Sequence, residues 1–277
     1  MHRAVGIGTG WKGSPMDFEA LRLEFEDGVA RLTFCNAPRG NPIDGRLCAE
    51  ICEAAIILSD RKDVRAILIL AEGKSFSFGG DIEDFVGNLD TLPHMIKRWT
   101  TDLHSGIARL QRLDAPIVAA VQGICAGGMA AFVAGADIVI AGADAKFVSA
   151  YAGIGYSCDA GSSIMFSRRM GLSRARRYLL LNETIPAEES LACGLVDRVV
   201  GNDVLIAEAS ALAVKLSQGP TRAFGETRRL LLSATDQPLE TQLELEAQAL
   251  SAIARTADAR EGLTAFSQKR KPVFTGA

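Results

Sequence analysis

The chain has 277 residues, 48% of them hydrophobic, with a formal net charge of −3, which is enough apolar material for one large core with or without an appendage. The signs are interspersed, so there is no footprint for nucleic acid or an anionic membrane surface, and no apolar run approaches the ~20 residues of a bilayer span. Six cysteines, at 35, 48, 52, 125, 158 and 193, form no C-x-x-C pair, and the first residues carry no signal-peptide apolar segment, so reduced thiols and a cytoplasmic location are expected.

Gly6-Ile7-Gly8-Thr9-Gly10 looks like a dinucleotide fingerprint but has no strand before it, and residues 1–20 read as a flexible terminus. Residues 21–25 and 29–34 flank Asp27-Gly28, a hairpin signal. Apolar residues at helical spacing over 44–60 predict a helix, and the unbroken apolar run 65–71 predicts a strand buried on both faces. A polar stretch at 83–94 precedes a helix of about 95–113, which Ala115-Pro116 ends. Strand 116–121, helix 128–135 and strand 137–141 follow. From 161 onward helices dominate, with Ser173, Pro186, Asp203, Pro220 and Pro238 as starts. The order argues for an α/β core over 21–215 and a helical C-terminal region over 216–277.

Two segments carry the chemistry. In Pro116 to Gly128 (PIVAAVQGICAGG) an apolar strand runs into a Gly pair that opens an apolar helix; in Gly73 to Asp81 (GKSFSFGGD) a second strand is followed by a second Gly pair. A helix start has free N–H groups and partial positive charge, and glycine lets a ligand oxygen come close to the main chain. Two such turns can aim two N–H donors at one oxygen, which is an oxyanion hole.

GKSFSFGGDIEDF and PIVAAVQGICAGGMAAFVAGADIVIAGADAKF, with the closing AREGLTAFSQKRKPVF, resemble the paired signature of the crotonase superfamily, the enoyl-CoA hydratase/isomerase fold. The likeness runs from about Leu21 to Phe274. It implies a spiral of ββα turns, an acyl-CoA substrate, Gly128 and Gly80 as oxyanion donors with Phe78 beside them, and no metal or redox cofactor beyond the coenzyme A of the substrate. It also implies a homotrimer, or a hexamer of two trimers, with Phe266 and Lys269 approaching coenzyme A. The exposed apolar faces of 220–268 point to assembly as well. His2, His94 and His104 show no metal-ligand spacing.

Hydratases of the family use two glutamates, and the matching positions, counted back from Asp137, are Ala131 and Tyr151. Neither replaces a carboxylate in proton transfer. What remains is Asp159 in YAGIGYSCDAGSS, with no basic residue within eight positions. It reads either as a cap of the helix beginning near Ala160 or as the single acid/base. The stretch resembles two subfamilies: isomerases akin to 1,2-epoxyphenylacetyl-CoA isomerase, where one aspartate moves a proton between carbons, and 4-chlorobenzoyl-CoA dehalogenase, where the carboxylate is a nucleophile and His104 matches a helper histidine. His104 reads equally as a packed or exposed side chain. Tyr151 and Tyr156 read as hydroxyl donors or pocket walls. An activity-free acyl-CoA binder is the reading outside enzymology.

Overall fold

A computed structural model describes residues 18–277; the Gly6 to Gly10 run and His2 lie outside the described residues. The chain begins with a hairpin of β1 (Leu21–Glu26) and β2 (Val29–Phe34), turned at Asp27 and Gly28, which both have positive φ. That pair of left-handed conformations matches the right-handed twist of the flanking strands. α1 (Gly45–Asp60) follows, capped by Asp44, whose carboxylate accepts from the Leu47 N–H at 2.8 Å. β3 (Ala66–Ala71) is buried throughout.

α2 (Ile82–Gly87) and α3 (Leu92–Leu110) come next, then β4 (Ile117–Val121), β5 (Ile124–Ala126), α4 (Gly127–Ala134), β6 (Ile138–Gly142) and β7 (Lys146–Val148). α5 (Ser162–Leu180) is kinked at Gly171, just before the predicted start at Ser173. β8 (Thr184–Pro186), α6 (Ala187–Ala192) and β9 (Arg198–Val200) complete the strands, and α7 (Leu205–Ser217), α8 (Thr221–Ser233), α9 (Leu239–Ile253) and α10 (Ala257–Ser267) end the chain.

The main sheet has the order β1-β2-β3-β4-β6-β9, parallel except for the first hairpin, and β5-β7-β8 form a second, smaller sheet. Alternation along the buried strands makes two layers. Ile67, Ile69, Ile117, Ala119 and Val121 face the larger core with α1, α3 and α4, while Ala66, Leu68, Val118 and Ala120 face the opposite side, where Leu205, Ala209 and Ala213 of α7 cover them. A strand wanted by two cores must be apolar at every position, which is why β3 reads AILILA. α4 is buried along its whole length, as its apolar circumference requires.

The expected strands and helices are present, with boundaries displaced by a few residues. The stretch 83–94 departs further, for it contains the short helix α2, whose N-cap is Asp81. β5, β7, β8 and β9 went unanticipated; each has three residues, too short for a period of two to show.

A buried arginine on α8 ties the C-terminal helices to the core. Arg228 of α8, 8% exposed, reaches Asp137 at 2.8 Å and also donates to the carbonyls of Leu113 and Leu110. Asp137 in turn accepts from the Ile117 N–H of β4 at 2.6 Å. Arg228→Met keeps much of the aliphatic bulk while leaving the carboxylate and both carbonyls without their donor. A loss of about 2–4 kcal/mol in unfolding free energy is expected, with denaturant titration as the check; an unchanged midpoint would show that water replaces the guanidinium at no cost.

Candidate active site

The two glycine turns predicted from sequence meet. The run 75–80 lies between two neighbours: Phe76 and Ser77 donate to the carbonyls of Gln122 and Ile124, and Ala126 donates back to Ser77, each at 3.0 Å. On the other side Ile43 donates to Gly79 at 2.8 Å and accepts from Asp81 at 3.1 Å. This pairing takes the groups on either side of Gly80, so the Gly80 N–H points away from Ile43. The Gly128 N–H is in the first turn of α4 and has no carbonyl one turn back.

The approach depends on glycine. A Cβ on Gly79, which has φ +88°, would stand 3.1 Å from the Ala126 oxygen and 3.7 Å from the Gly127 Cα, and Gly127 itself has φ +55°. Gly80 and Gly128 both line one cavity of about 520 Å³. Two unpaired N–H groups at its wall are the arrangement that binds an oxyanion.

Asp159 enters the same cavity and is the only charged residue among the described residues that line it. It stands against Gly128: a Cβ there would lie 3.2 Å from Asp159 Oδ1. The Tyr151 hydroxyl donates to that oxygen at 2.7 Å and lies 3.0 Å from Ser162 Oγ, while the Asp159 carbonyl accepts from the Ser162 N–H at 2.8 Å. The Asp159 side chain therefore does not cap α5. Gly161 is the N-cap residue, with no side-chain cap bond. Burial, then the neighbouring Asp159 charge, pushes the Tyr151 phenol up from its ordinary range, so it stays protonated as a donor. Burial likewise pushes up the Cys48 thiol at the cavity wall, with Asp44 and Asp159 adding to the rise.

The rest of the wall is apolar and aromatic. Phe85 of α2 stacks on Tyr156 at 6.1 Å between centroids and sits 5.9 Å from Trp99 of α3; Ile82, Ile96 and Leu103 continue it. Phe78 lines the mouth and leans over Gly40, where a Cβ would collide with the ring. Arg39 clasps Asp81, the cap of α2, at 2.5 Å, which fixes the helix start beside the Gly80 turn. Phe85 carries no sequence signal of this role, because Tyr156, on which it stacks, lies far away along the chain.

Asp159, Gly128, Gly80, Phe78, Tyr151 and Tyr156 are thus brought together. Three anticipated residues are not. His104 is exposed and does not line the cavity; its Nε2 accepts the Ala160 N–H at 3.1 Å, a contact that assigns the proton to Nδ1. Phe266 is 85% exposed on α10, Lys269 follows that helix with φ +55°, and neither lines the cavity of its own chain. Of the missing glutamate positions, Ala131 is fully buried in the core and Tyr151 is engaged by Asp159.

With this geometry in place, likeness to known proteins narrows the chemistry. The family model described as enoyl-CoA hydratase/isomerase matches residues 24–277. The 1,2-epoxyphenylacetyl-CoA isomerase of Escherichia coli (strain K12) is 33% identical over 93% of this chain and 99% of its own length. A 4-chlorobenzoyl coenzyme A dehalogenase of an Arthrobacter species is 29% identical, over 90% and 91%. The solved structure of an enoyl-CoA hydratase/isomerase from Cupriavidus metallidurans CH34 superposes with a TM-score of 0.86 at 28% identity, covering 94% of this chain and 98% of that one.

Gly128 has ordinary helical geometry, so an added methyl group costs no backbone strain there and raises helix propensity. It would nonetheless meet the Asp159 carboxylate and Ile43. Gly128→Ala is therefore expected to keep its unfolding midpoint while turnover of an acyl thioester falls about 10²-fold, the order of effect of losing one oxyanion donor. Steady-state rates and thermal unfolding on one preparation check this, and equal losses in both would assign the glycine to folding.

Proposed function

The chain belongs to the enoyl-CoA hydratase/isomerase family, and from that premise we propose that it moves a double bond in an unsaturated acyl-CoA. In this reading the N–H groups of Gly80 and Gly128 hold the thioester oxygen and Asp159 is the single acid/base. The observation that carries it is the solitary Asp159 carboxylate standing against Gly128 in an otherwise uncharged cavity.

Removing a proton near a thioester is difficult because the enolate is poorly stabilised in water. Each aimed N–H donor in a dry site contributes roughly 3 kcal/mol to the transition state. Asp159 takes the proton from one carbon, the dienolate rests on the two N–H groups, and the same carboxyl group returns the proton to the other terminus of the system. The net change is a shift of one proton and one double bond, without added water. No metal and no redox group is asked for.

Adding water to the double bond calls for a second acid/base, and the residues at the two glutamate positions do not supply one. Nucleophilic attack by Asp159 with histidine help is disfavoured by the engagement of His104 with a backbone N–H outside the cavity. The decisive experiment follows deuterium from solvent into an unsaturated acyl-CoA. Wild-type protein is expected to exchange and isomerise, to hydrate crotonyl-CoA several orders of magnitude below a good hydratase, and Asp159→Asn to lose at least ~10²-fold in exchange while remaining folded. Wild-type exchange in Asp159→Asn would remove the aspartate from the mechanism. A wild-type protein that binds acyl-CoA but leaves its protons untouched would be a binder.

We further propose a homotrimer, or a hexamer of two trimers, in which Phe266 and Lys269 meet coenzyme A. Leu231, Leu243, Leu250 and Leu263 on α8 to α10 are exposed alongside Phe266, more apolar side chain than an isolated helical appendage leaves bare. Removing residues after 255 is expected to abolish both assembly and coenzyme A affinity, measured by sedimentation and a binding titration. A fully active monomer would contradict the proposal.

A further inference from the structure

We propose that Tyr151, backed by Ser162, is a positioning residue that holds one oxygen of Asp159 still and leaves the other to carry the proton. The inference rests on the isomerase reading above and adds to it the device that aims the base.

Proton counting fixes the direction of the chain. A phenol has one hydrogen, and at 2.7 Å from Asp159 Oδ1 it is donated there, because an ionised carboxylate only accepts. The 3.0 Å contact between Tyr151 Oη and Ser162 Oγ must then be a bond from the serine hydroxyl to the phenol oxygen. Donation into the phenol oxygen strengthens the bond it makes in turn. Ser162 is 1% exposed as the first residue of α5, so its hydroxyl has little competition from solvent. The rise in the Tyr151 pKa agrees, since burial and the nearby carboxylate keep the hydrogen on the phenol.

The backbone around the pair is held in the same sense. The Ser162 N–H ties the Asp159 carbonyl at 2.8 Å, and His104 takes the Ala160 N–H from the other side. Ala160 is left-handed at φ +51°, a conformation that costs a non-glycine residue about 1 kcal/mol and that these ties sustain. With main chain and Oδ1 both held, rotation of the carboxylate is restrained, and Oδ2, which has no hydrogen-bond donor among the described residues, is the oxygen left for the proton. The phenol stands at a position where a hydratase of the family has a carboxylate, and donates instead of accepting.

The test compares Tyr151→Phe, Ser162→Ala and the double variant in the isomerisation of an unsaturated acyl-CoA. Tyr151→Phe is expected to lower kcat about 10- to 10²-fold with KM changed by less than about twofold. Ser162→Ala should lower kcat by less and Ser162→Thr restore it, while the double variant should be no worse than Tyr151→Phe alone, because Ser162 acts through the phenol. Wild-type kcat in Tyr151→Phe, or losses that multiply in the double variant, would overturn the proposal. If Tyr151→Phe does not fold, the serine pair decides, and unchanged kcat in Ser162→Ala overturns it. Asp159→Asn in the same assay separates the two levels: activity there sinks the isomerase reading, whereas an inactive Asp159→Asn beside a fully active Tyr151→Phe sinks only the positioning role.

Discussion

Everything at the site depends on two chain segments that cross where each takes a backbone conformation suited to glycine. Gly79 and Gly127 face each other with left-handed backbone, φ +88° and +55°, and a Cβ on Gly79 would crowd the Ala126 oxygen at 3.1 Å, while the hydrogen bonds that hold the crossing consume the groups on either side of Gly80. The Gly80 N–H is left free by that pairing, and the Gly128 N–H by its place in the first turn of α4. An orphan N–H at the wall of an apolar cavity costs free energy unless it finds an acceptor, and an oxygen that accepts from it there recovers that cost. Little reorganisation is needed at that moment, which is where most of the advantage of such donors lies.

The parts of this arrangement that were legible in the sequence are those with a local signature. A strand, two glycines and an apolar helix can be read along the chain, and so can the absence of acids at Ala131 and Tyr151. The alternation that splits β3 and β4 between two cores is local too. The tie between Tyr151 and Asp159 is not, because it is made by a loop in which Ala150, Gly155, Ala160 and Gly161 all take positive φ. No propensity or period specifies such a sequence of turns; it is set by what the loop packs on. The same holds for His104, whose partner is a backbone N–H and leaves no side-chain signal. The aromatic wall escaped for a third reason, since Phe85 and Tyr156 lie far apart along the chain and meet only when it is folded.

His104 illustrates how spacing misleads. Its distance along the chain from Asp159 is similar to that of a helper histidine, and it does approach the aspartate's loop. Yet it meets the main chain of the next residue instead of the carboxylate, with the ring outside the cavity. Sequence separation brought the helix to the right neighbourhood, while the direction of one side chain on α3 fixed what the residue does there.

The cavity wall bears on why a single carboxylate suffices. Trp99, Phe85, Ile96 and Leu103 cannot solvate charge, and a carboxylate placed among them without donors would be costly to ionise. A phenol offsets that cost with a directed hydrogen bond and without a counter-ion that would compete for the proton. It also keeps its own proton, having been made a weaker acid by the same burial. Two acids facing each other across a substrate can deliver and withdraw protons on opposite sides, as the addition of water demands. One acid held by a donor can give back only what it took, which is the proton balance of the proposed transfer between two carbons. Donors at Gly80 and Gly128 suit either chemistry equally; the difference lies at the position where a hydratase has its second carboxylate, which in this protein is Tyr151, a hydrogen-bond donor to Asp159.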